Sequence, residues 1–411
     1  MSGFSTRAIR ASAHGPAVRQ RATAVPIFQT ATFAAADADE LAEVLTGAQP
    51  GFAYSRVDNP TTAALAAAVA ELEGAEAAIA FASGMAAIHA ALLSLLSAGD
   101  RIVASAAGYG TTRALLEGTF RRLGVDVAFV DVTDDAAVAA ALAAGPTRVL
   151  YAETIANPTI VVADHARLAE LAHANGATYV VDNTFASPAA CRPAEWGADL
   201  VVESATKYIG GHSDTIVGVV SGREALIAPI RSLAVDTGGT PAPLNAFLAL
   251  RGLATLGLRV EHQSRTAATL AARFEGASGV RRVLHPSLAS HPQHAVAKRL
   301  LDVPGAMLAL ELEGGREAGR AFIDALTVPE LTASLGSVHT MVVHPPSTTH
   351  RQLDAAALAE AGIAPGLLRV SVGLEDVDDL AADFEAGLAA AGRSSRAAGT
   401  TTPPTAVAAA S

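Results

Sequence analysis

Short apolar runs rich in β-branched residues alternate with segments of helical periodicity along the first half of the chain. Continuous apolar runs of this length are typical of buried strands in a sheet that is covered on both faces. One intervening segment, residues 163–176, ends in Asn175-Gly176, a frequent C-terminal stop of helices. The alternation therefore predicts an α/β fold with a mostly parallel sheet covered by helices. The predicted strands are residues 101–105, 125–130, 148–153, 178–183, 199–204 and 215–220.

Residues 77–98 contain no acidic, Lys or Arg residue and are long enough to cross a bilayer. Ser83-Gly84 interrupts this stretch, and the "AAIAF" that precedes the interruption is typical of a short buried strand. The "MAAIHAALLSLL" that follows has the composition of a buried helix. We therefore predict a strand, a tight turn and a helix here, rather than a membrane span.

After about residue 255 the alternation gives way to a different order of elements. A long helical segment at residues 258–276 precedes separated strand-like runs and a second helical segment at residues 376–392. This order predicts a smaller C-terminal α+β domain. The predicted division is an N-terminal arm at residues 1–60, a large domain at 61–255, a C-terminal domain at 256–393 and a low-complexity, disordered tail at 394–411.

Composition narrows the classes of partner and compartment. The chain has 411 residues and a formal net charge of −11, whereas nucleic acids and anionic lipid surfaces are bound by basic faces. A single cysteine, Cys191, excludes an internal disulfide and fits a reducing compartment. The first residues, "MSGFSTRAIRASAHG", lack the apolar core of a signal peptide. We therefore expect a cytoplasmic protein that binds neither nucleic acid nor membrane.

Arginine supplies nearly all of the positive charge, and Lys207 and Lys298 are the only lysines. Arginine cannot replace lysine where a nitrogen must lose its proton and attack carbon, because guanidinium stays charged. A buried lysine amine can become neutral and form a Schiff base with a carbonyl, as in enzymes that use pyridoxal phosphate. Lys207 follows a strand-like run and is the candidate for this role. Taken alone, Lys207 could equally be a surface lysine that has not been replaced by arginine.

Three polar residues, Glu153, Asp182 and Ser204, stand at the carboxyl ends of predicted strands. Ligands of parallel sheets bind beyond these ends. Pyridoxal phosphate needs an anion that keeps its pyridine nitrogen protonated, and Asp182 is suited to that role. The alternative for Asp182 alone is a helix N-cap or a turn aspartate.

Two separate stretches offer groups for a phosphate. Gly84 and Met85 lie at a predicted helix N-terminus, where free backbone N–H groups and the helix dipole favour an anion. Ser204 and Thr206 add two hydroxyl groups just before Lys207. Together Lys207, Asp182 and these phosphate-binding groups predict a pyridoxal-phosphate site.

Seven motifs span nearly all of the chain except the tail: "YSRVDNPT" (54–61), "FASGMAAI" (81–88), "ETIANPT" (153–159), "VVDNTFASP" (180–188), "ESATKYIGGHSD" (203–214), "HPQHAVAKR" (291–299) and "LRVSVGLED" (368–376). In sequence and order they resemble the motifs of the Cys/Met-metabolism family of pyridoxal-phosphate enzymes. This family includes cystathionine γ-synthase, cystathionine γ-lyase, methionine γ-lyase and the homoserine sulfhydrylases. The resemblance implies a fold-type-I architecture and a homotetramer, built as a dimer of dimers whose active sites are shared across the dimer interface.

The resemblance also implies roles for individual residues. Lys207 would be the Schiff-base lysine, Asp182 the partner of the ring nitrogen, and Tyr109 the residue that stacks on the ring and exchanges protons. Arg369 would hold the substrate α-carboxylate, for which a planar guanidinium fork has suitable geometry. The other implied cofactor-binding residues are Gly84, Met85, Thr184, Ser204 and Thr206, with Tyr54 and Arg56 reaching the phosphate of the neighbouring subunit. The implied substrate-positioning residues are Asn157, Ser334 and Leu335.

The reaction implied by the resemblance is elimination or replacement at the γ carbon of a small amino acid. Enzymes that act on cystathionine commonly carry a glutamate where this chain has His339, and methionine γ-lyases often carry a cysteine where it has Thr111. Sulfhydrylases usually carry an insertion between the lysine loop and the substrate domain. In this chain the corresponding segment, residues 221–243, is short. "GHSD" favours the lyase and γ-synthase branches. We predict γ-elimination on a cystathionine- or methionine-type substrate, giving a thiol, 2-oxobutanoate and ammonia.

Four alternatives compete with this prediction. One is γ-replacement on an O-acyl-homoserine. Another is a catalytically dead binding paralogue, which would be expected to have lost Lys207, Asp182, Tyr109 or Arg369, and all four are present. The histidines His285, His291 and His294 suggest a metal site, but their spacing fits no common zinc pattern, so no metal is predicted. "GYGTTR" lacks the third glycine of a dinucleotide-binding loop.

Overall fold

The computed structural model describes residues 22–349, 351, 354–360 and 362–399. Residues 1–21 of the predicted arm and residues 400–411 of the predicted tail therefore lie outside the described residues. The last helix extends to Gly399, beyond residue 393, where the C-terminal domain was predicted to end.

The first sheet contains the strands β1 (Ala77–Phe81), β2 (Arg101–Ser105), β3 (Asp126–Val130), β4 (Thr147–Glu153), β5 (Thr178–Asp182), β6 (Leu200–Glu203) and β7 (Gly218–Gly222). Their order across the sheet is β1-β7-β6-β5-β4-β2-β3. The four pairs from β6 to β3 are parallel, and β7 runs antiparallel to both of its neighbours. The mostly parallel sheet is thus confirmed. The last strand begins later than predicted because Val217 exchanges hydrogen bonds with Thr206 instead of with the sheet.

Helices cover both faces of this sheet: α2 (Pro60–Glu73), α3 (Gly84–Leu95), α4 (Gly110–Ala114), α5 (Asp135–Ala143), α6 (His165–Ala174), α7 (Glu224–Thr237) and α8 (Pro243–Leu253). After α4 the chain continues in a wider helical turn over Leu115–Phe120. Neighbouring strand residues face opposite sides. Val149 and Val180 pack in one cluster with α3 and α7, whereas Leu150 and Val181 pack in another with α5 and α6.

The apolar stretch at residues 77–98 forms a strand, a turn and a helix, as predicted. β1 ends at Phe81, and α3 begins after Ser83, whose side-chain oxygen accepts a hydrogen bond from the backbone N–H of Ala86 at 3.1 Å. This N-cap satisfies one of the free donors of the first helical turn. Within the described residues, no helix has the length and apolarity needed to span a bilayer.

The second sheet follows the long helix α9 (Leu256–Phe274) and contains β8 (Val280–Leu284), β9 (Met307–Leu312), β10 (Glu330–Leu331), β11 (Met341–Val343) and β12 (Leu367–Ser371). Its order is β10-β11-β12-β9-β8, and β12 is antiparallel to both neighbours. The other helices of this region are α10 (His294–Leu300), α11 (Gly315–Asp324), α12 (Ala355–Glu360) and α13 (Val377–Gly399). Phe274, Phe322 and Phe384 join α9, α11 and α13 in one core.

Most of residues 22–59, the described part of the chain before α2, lie on the surface and include the helix α1 (Ala38–Thr46). Five of the large apolar side chains in this part remain more than a third exposed in the single chain: Ile27, Phe28, Leu41, Leu45 and Tyr54. A segment with this many exposed apolar side chains has the composition of a surface that another protein surface covers.

Candidate active site

A cavity of about 560 Å³ opens beyond the carboxyl ends of β4, β5 and β6 and the N-terminus of α3. Most of the predicted site residues line it: Gly84, Met85, Tyr109, Asn157, Asp182, Thr184, Ser204, Thr206, Lys207, Leu335 and Arg369. The cavity wall also contains Thr111 and Glu153, which the sequence analysis singled out without a binding role, and residues that it did not single out: Ser83, Ile88, Gly110, Ala114, Ile155, Phe185, Ile216, Ala333 and Thr349. The strand ends therefore converge as the sequence predicted.

Lys207 lies inside this cavity, largely buried. Its Nζ donates a hydrogen bond to Ser334 Oγ at 2.9 Å, so the predicted residue Ser334 also reaches the site. Burial, assisted by the positive charge of Arg369, lowers the pKa of Lys207 to about 8. Lys298 is exposed on α10. Of the two lysines, only Lys207 has the surroundings that make an amine nucleophilic near neutral pH.

Asp182 ends β5 and is buried, with both carboxylate oxygens held in place. Oδ1 accepts the backbone N–H of Thr184 at 3.0 Å, and Oδ2 accepts the hydroxyl of Tyr151 at 3.2 Å. Burial raises the pKa of Asp182, because the charged form is desolvated. A buried carboxylate facing a cavity is suited to pair with a cationic ring nitrogen.

A cradle for an anion lies between the start of α3 and Ser204. A Cβ added at Gly84 would lie 2.6 Å from Ser204 Cβ, so only glycine permits this close approach. The backbone N–H of Ser204 donates to Thr184 Oγ1 at 2.8 Å, and Thr206 Oγ1 is held against Val217 at 3.0–3.1 Å. The free N–H groups at the N-terminus of a helix, next to fixed hydroxyls, fit a phosphate group.

Arg369 stands on β12, on the opposite side of the cavity, and is almost fully buried. Its two terminal nitrogens donate to Asn157 Oδ1 at 3.1 Å and to the carbonyl of Ser334 at 2.8 Å. Its Nε is buried and has no hydrogen-bond partner among the described residues. Burial lowers the pKa of Arg369 to about 10, which leaves the guanidinium charged at neutral pH. A charged, rigidly held guanidinium with a donor to spare fits a substrate carboxylate.

Glu153 is a site residue whose role the sequence did not reveal beyond its place at a strand end. One carboxylate oxygen accepts the backbone N–H of Tyr109, and the other accepts the N–H of Asn157 at 3.1 Å. Burial and the negative charge of Asp182 raise the pKa of Glu153 to about 8. Glu153 thereby links the predicted ring-stacking residue to the residue that holds Arg369.

Two predicted cofactor residues lie away from this cavity within the single chain. The Arg56 guanidinium lies 5.4 Å from the centre of the Tyr54 ring and donates to the carbonyl of Val235. Their role in the neighbouring subunit stays a prediction. Thr111 and His339 are the two positions whose residue type differs between branches of the family. Thr111 lines the cavity, whereas His339 is exposed and does not line it.

The three histidines considered for a metal site are engaged in other contacts. His285 contacts Ser287 Oγ at 2.7 Å and the carbonyl of Gly305 at 3.1 Å. His291 contacts the carbonyl of Ile160 at 3.0 Å, and His294 that of Pro286 at 3.0 Å. Through these hydrogen bonds the histidines connect neighbouring backbone segments.

The fold, the buried lysine and the anion cradle together define a site for pyridoxal phosphate. Residues 5–389 match the profile of the family described as Cys/Met metabolism PLP-dependent enzyme, and the chain belongs to this family. The predictions of fold, enzyme class and cofactor are confirmed.

Individual relatives span several reactions of the family. The chain is 43% identical to an L-methionine gamma-lyase of Pseudomonas putida, over 95% of this chain and 98% of that protein. It is 40% identical to an O-succinylhomoserine sulfhydrylase of Pseudomonas aeruginosa, over 95% of this chain and 96% of that protein. A crystal structure of cystathionine gamma synthase from Xanthomonas oryzae pv. oryzae in complex with cystathionine superimposes with a TM-score of 0.86 at 38% identity, covering 91% and 94% of the two chains.

Proposed function

We propose that this enzyme catalyses γ-elimination on a small, uncharged thioether amino acid such as methionine, giving a thiol, 2-oxobutanoate and ammonia. The observation that carries the proposal is the charge of the cavity wall. Among the described residues, its ionisable acidic and basic side chains are Glu153, Asp182, Lys207 and Arg369, and Arg369 alone has a cationic group with a hydrogen-bond donor left for a substrate carboxylate. A methionine-type thioether needs only this one ion pair with a carboxylate. Cystathionine carries a further ammonium and a further carboxylate at its distal end.

The rest of the wall supports the same substrate class. Its apolar members include Ile88, Ala114, Ile216, Ala333 and Leu335. Apolar walls of this kind retain a methyl thioether and offer nothing to an ammonium group. Similarity to an L-methionine gamma-lyase at 43% identity also supports the proposal.

Each polar group then has a defined task. Bound pyridoxal phosphate supplies an electron sink that stabilises negative charge at the substrate Cα and Cβ. Asp182 keeps a proton on the ring nitrogen, and Arg369 binds the α-carboxylate. With its pKa lowered to about 8, the Lys207 amine is neutral often enough to take the proton from Cα and deliver it to the next carbon. Tyr109 lines the cavity and stays partly exposed, and its hydroxyl can protonate the sulfur that leaves Cγ.

A substrate panel tests the proposed reaction. Methionine, cystathionine, O-acetylhomoserine and O-succinylhomoserine would be compared for release of 2-oxobutanoate, pyruvate and ammonia, each with and without sulfide. We expect methionine to give the highest kcat/KM for 2-oxobutanoate release. Faster formation of homocysteine from an acylhomoserine and sulfide would contradict the proposal.

The second candidate function is γ-replacement on an O-acyl-homoserine. One observation favours it: Thr111 places a hydroxyl, rather than a thiol, in the cavity wall beside Tyr109. A hydroxyl can hydrogen-bond the ester carbonyl of an acyl leaving group. The relative named O-succinylhomoserine sulfhydrylase, at 40% identity, is consistent with this alternative.

The working unit in this proposal is a homotetramer, a dimer of dimers in which Tyr54 and Arg56 of one subunit complete the phosphate site of the next. Their distance from their own cavity and the exposed apolar side chains of residues 22–59 support this arrangement. Arginine suits a phosphate because its fork offers several donors and keeps its charge. A cytoplasmic location is supported by the single, buried thiol of Cys191.

Mixing two inactive variants tests the shared site. Arg56→Ala and Lys207→Ala proteins would be dissociated together and reassembled. In a mixed dimer one site has both defects and the other has neither, so activity should partly return. If differently tagged subunits demonstrably exchange and no activity returns, Arg56 does not act across the interface.

A further inference from the structure

Each of the three strand ends at the site carries two adjacent polar residues that face opposite ways. Glu153, Asp182 and Ser204 face the cavity. Their chain neighbours Thr154, Asn183 and Glu203 are fully or almost fully buried and do not line it. Alternation along extended backbone accounts for the opposite directions. A second row of polar side chains therefore lies directly behind the row that holds the cofactor.

Asn183 connects this second row. Its Oδ1 accepts the Thr154 hydroxyl at 2.7 Å, and its Nδ2 donates to Glu73 Oε1 at 3.0 Å and to the carbonyl of Cys191 at 2.8 Å. Both amide protons are used, so the side chain is held in one orientation. The contacts join the end of β4, the end of β5, α2 and the turn that follows β5.

The row continues on the other side of Thr154. His165 Nε2 lies 3.0 Å from Thr154 Oγ1, and its Nδ1 lies 2.8 Å from the hydroxyl of Tyr179. Burial lowers the pKa of His165 to about 4 and raises that of Tyr179, so the ring is neutral and the phenol keeps its proton.

These protonation states fix one direction for every hydrogen bond. Because Thr154 gives its proton to Asn183, it must accept the proton on His165 Nε2, and His165 Nδ1 then accepts the proton of Tyr179. Donation therefore runs without a break from Tyr179 through His165, Thr154 and Asn183 to the carboxylate of Glu73. Hydrogen bonds aligned in this way strengthen one another.

Glu203 completes the row at β6. Its carboxyl group lies beside that of Glu73, and both side chains are buried. Glu73 Oε2 and Glu203 Oε1 have no hydrogen-bond partner among the described residues. Two adjacent buried carboxylates cannot both ionise, so we infer that Glu203 keeps a proton and shares it with Glu73. This shared proton ties the residue before Ser204 to the carboxylate that Asn183 also contacts.

We propose that Tyr179, His165, Thr154, Asn183, Glu73 and Glu203 form a positioning network that sets the ends of β4, β5 and β6 at the spacing the cofactor requires. Asp182 must meet one end of the cofactor while Ser204 meets the other, so a small shift between strands weakens one of these contacts. The inference rests on the proposed cofactor site at Lys207 and is independent of the substrate.

Thr154→Val tests the network, with Thr147→Val as its matched control. Both threonines are buried; Thr147 begins β4 and Thr154 directly follows its last residue. Thr147 Oγ1 donates to the carbonyl of Leu142 at 3.0 Å, and Thr147 does not line the cavity. Each substitution keeps the side-chain shape and removes one hydroxyl. Cofactor-free protein would be titrated with pyridoxal phosphate, and the visible circular dichroism of the bound cofactor, which reports its orientation, would be recorded.

We expect Thr154→Val to weaken cofactor binding about tenfold and to change the visible dichroism, since one buried hydrogen bond of the network is lost. Thr154→Ser keeps the hydroxyl and should restore both properties, and Thr147→Val should match the wild type in both. Equal affinity and dichroism in Thr154→Val and Thr147→Val would overturn the proposal.

If Thr154→Val does not fold, Tyr179→Phe removes only the outermost hydrogen bond. It should weaken cofactor binding by about two- to threefold, and wild-type affinity and dichroism in Tyr179→Phe would likewise overturn the network. A protein that shows the expected differences but favours γ-replacement in the substrate panel would contradict only the proposed reaction.

Discussion

The two halves of the cavity are built in different ways. The cofactor half comes from regular structure around the first sheet: Asp182 ends β5, Ser204 follows β6, and Gly84 begins α3. The other half depends mainly on exposed loop residues such as Ala333 and Ile216, with Thr111 from the short helix α4 and Arg369 from the second sheet. Strand ends and helix N-termini can hold a group to a fraction of an ångström, whereas loops vary more readily.

This difference explains why the enzyme class is easier to establish than the substrate. The chemistry shared by the family needs the same electron sink, base and phosphate site, and regular structure provides them. The leaving group meets the loop half, where exchange of one side chain changes what fits. The contrast predicts that substitutions in the cofactor half reduce turnover itself, whereas those in the other half act on substrate binding.

The largest effect is expected at Lys207. Lys207→Ala removes both the Schiff-base amine and the base at Cα, and turnover should fall by roughly a thousandfold or more. Lys298→Ala is the control, because Lys298 is exposed on α10 and should leave activity unchanged. Borohydride reduction of the wild type followed by peptide mapping should find the pyridoxyl group on Lys207. Its recovery on Lys298 would refute the assignment.

Asp182→Asn should have the next largest effect on turnover. A neutral amide cannot keep the ring nitrogen protonated, so the electron sink weakens while the cofactor stays bound. Loss of a charge-assisted hydrogen bond costs about 2–3 kcal/mol, which corresponds to roughly a hundredfold in kcat. Steady-state kinetics on cofactor-saturated protein would measure it, and full turnover would show that Asp182 only shapes its turn.

Much of the cofactor half could be predicted because its signals are local. A strand-like run followed by Asp182 and a small-residue turn before α3 each indicate their structure within a few residues. The antiparallel direction of β7 could not be read in this way, because an apolar run does not show which way its strand runs. Glu153 was placed at a strand end, but its bonds to the backbone of Tyr109 and Asn157 depend on tertiary packing. The same holds for Asn183, whose partners Thr154 and Glu73 are distant in sequence.

Arg369→Lys tests the half of the cavity that binds the substrate, where a substitution should act mainly on substrate binding. A lysine ammonium carries its three donors on one nitrogen, so it cannot span Asn157, the carbonyl of Ser334 and a carboxylate as the three separate nitrogens of the guanidinium can. We expect KM to rise about tenfold, with a smaller change in kcat, since the substrate carboxylate is held before and during the reaction. Arg281→Lys, which alters an exposed arginine 3.5 Å from Glu311, is the control and should change neither constant. A fall in kcat at constant KM would place Arg369 with the cofactor half.

The smallest effect is expected behind the cofactor half, at the Glu73–Glu203 pair, and it concerns stability. Burial raises the pKa of Glu203 and raises that of Glu73 to about 7, so the folded protein binds these protons more tightly than the unfolded chain. The stability that the pair contributes is therefore complete below about pH 4.5 and is lost as the pH rises through about 7. Glu203→Gln keeps a hydrogen-bond donor to Glu73 and removes one of the two titrating groups.

The apparent Tm of the cofactor-loaded protein should accordingly fall less between pH 6 and pH 8.5 in Glu203→Gln than in the wild type. The difference should be a few degrees, because about 1 kcal/mol moves the Tm of a chain this large by about 2–4 °C or less. Glu170→Gln, at an exposed glutamate paired with Arg167, should keep the wild-type slope. Scans at one heating rate make the comparison valid even if unfolding is irreversible. Parallel slopes for Glu203→Gln and the wild type would show that the pair does not hold its proton as the buried geometry requires.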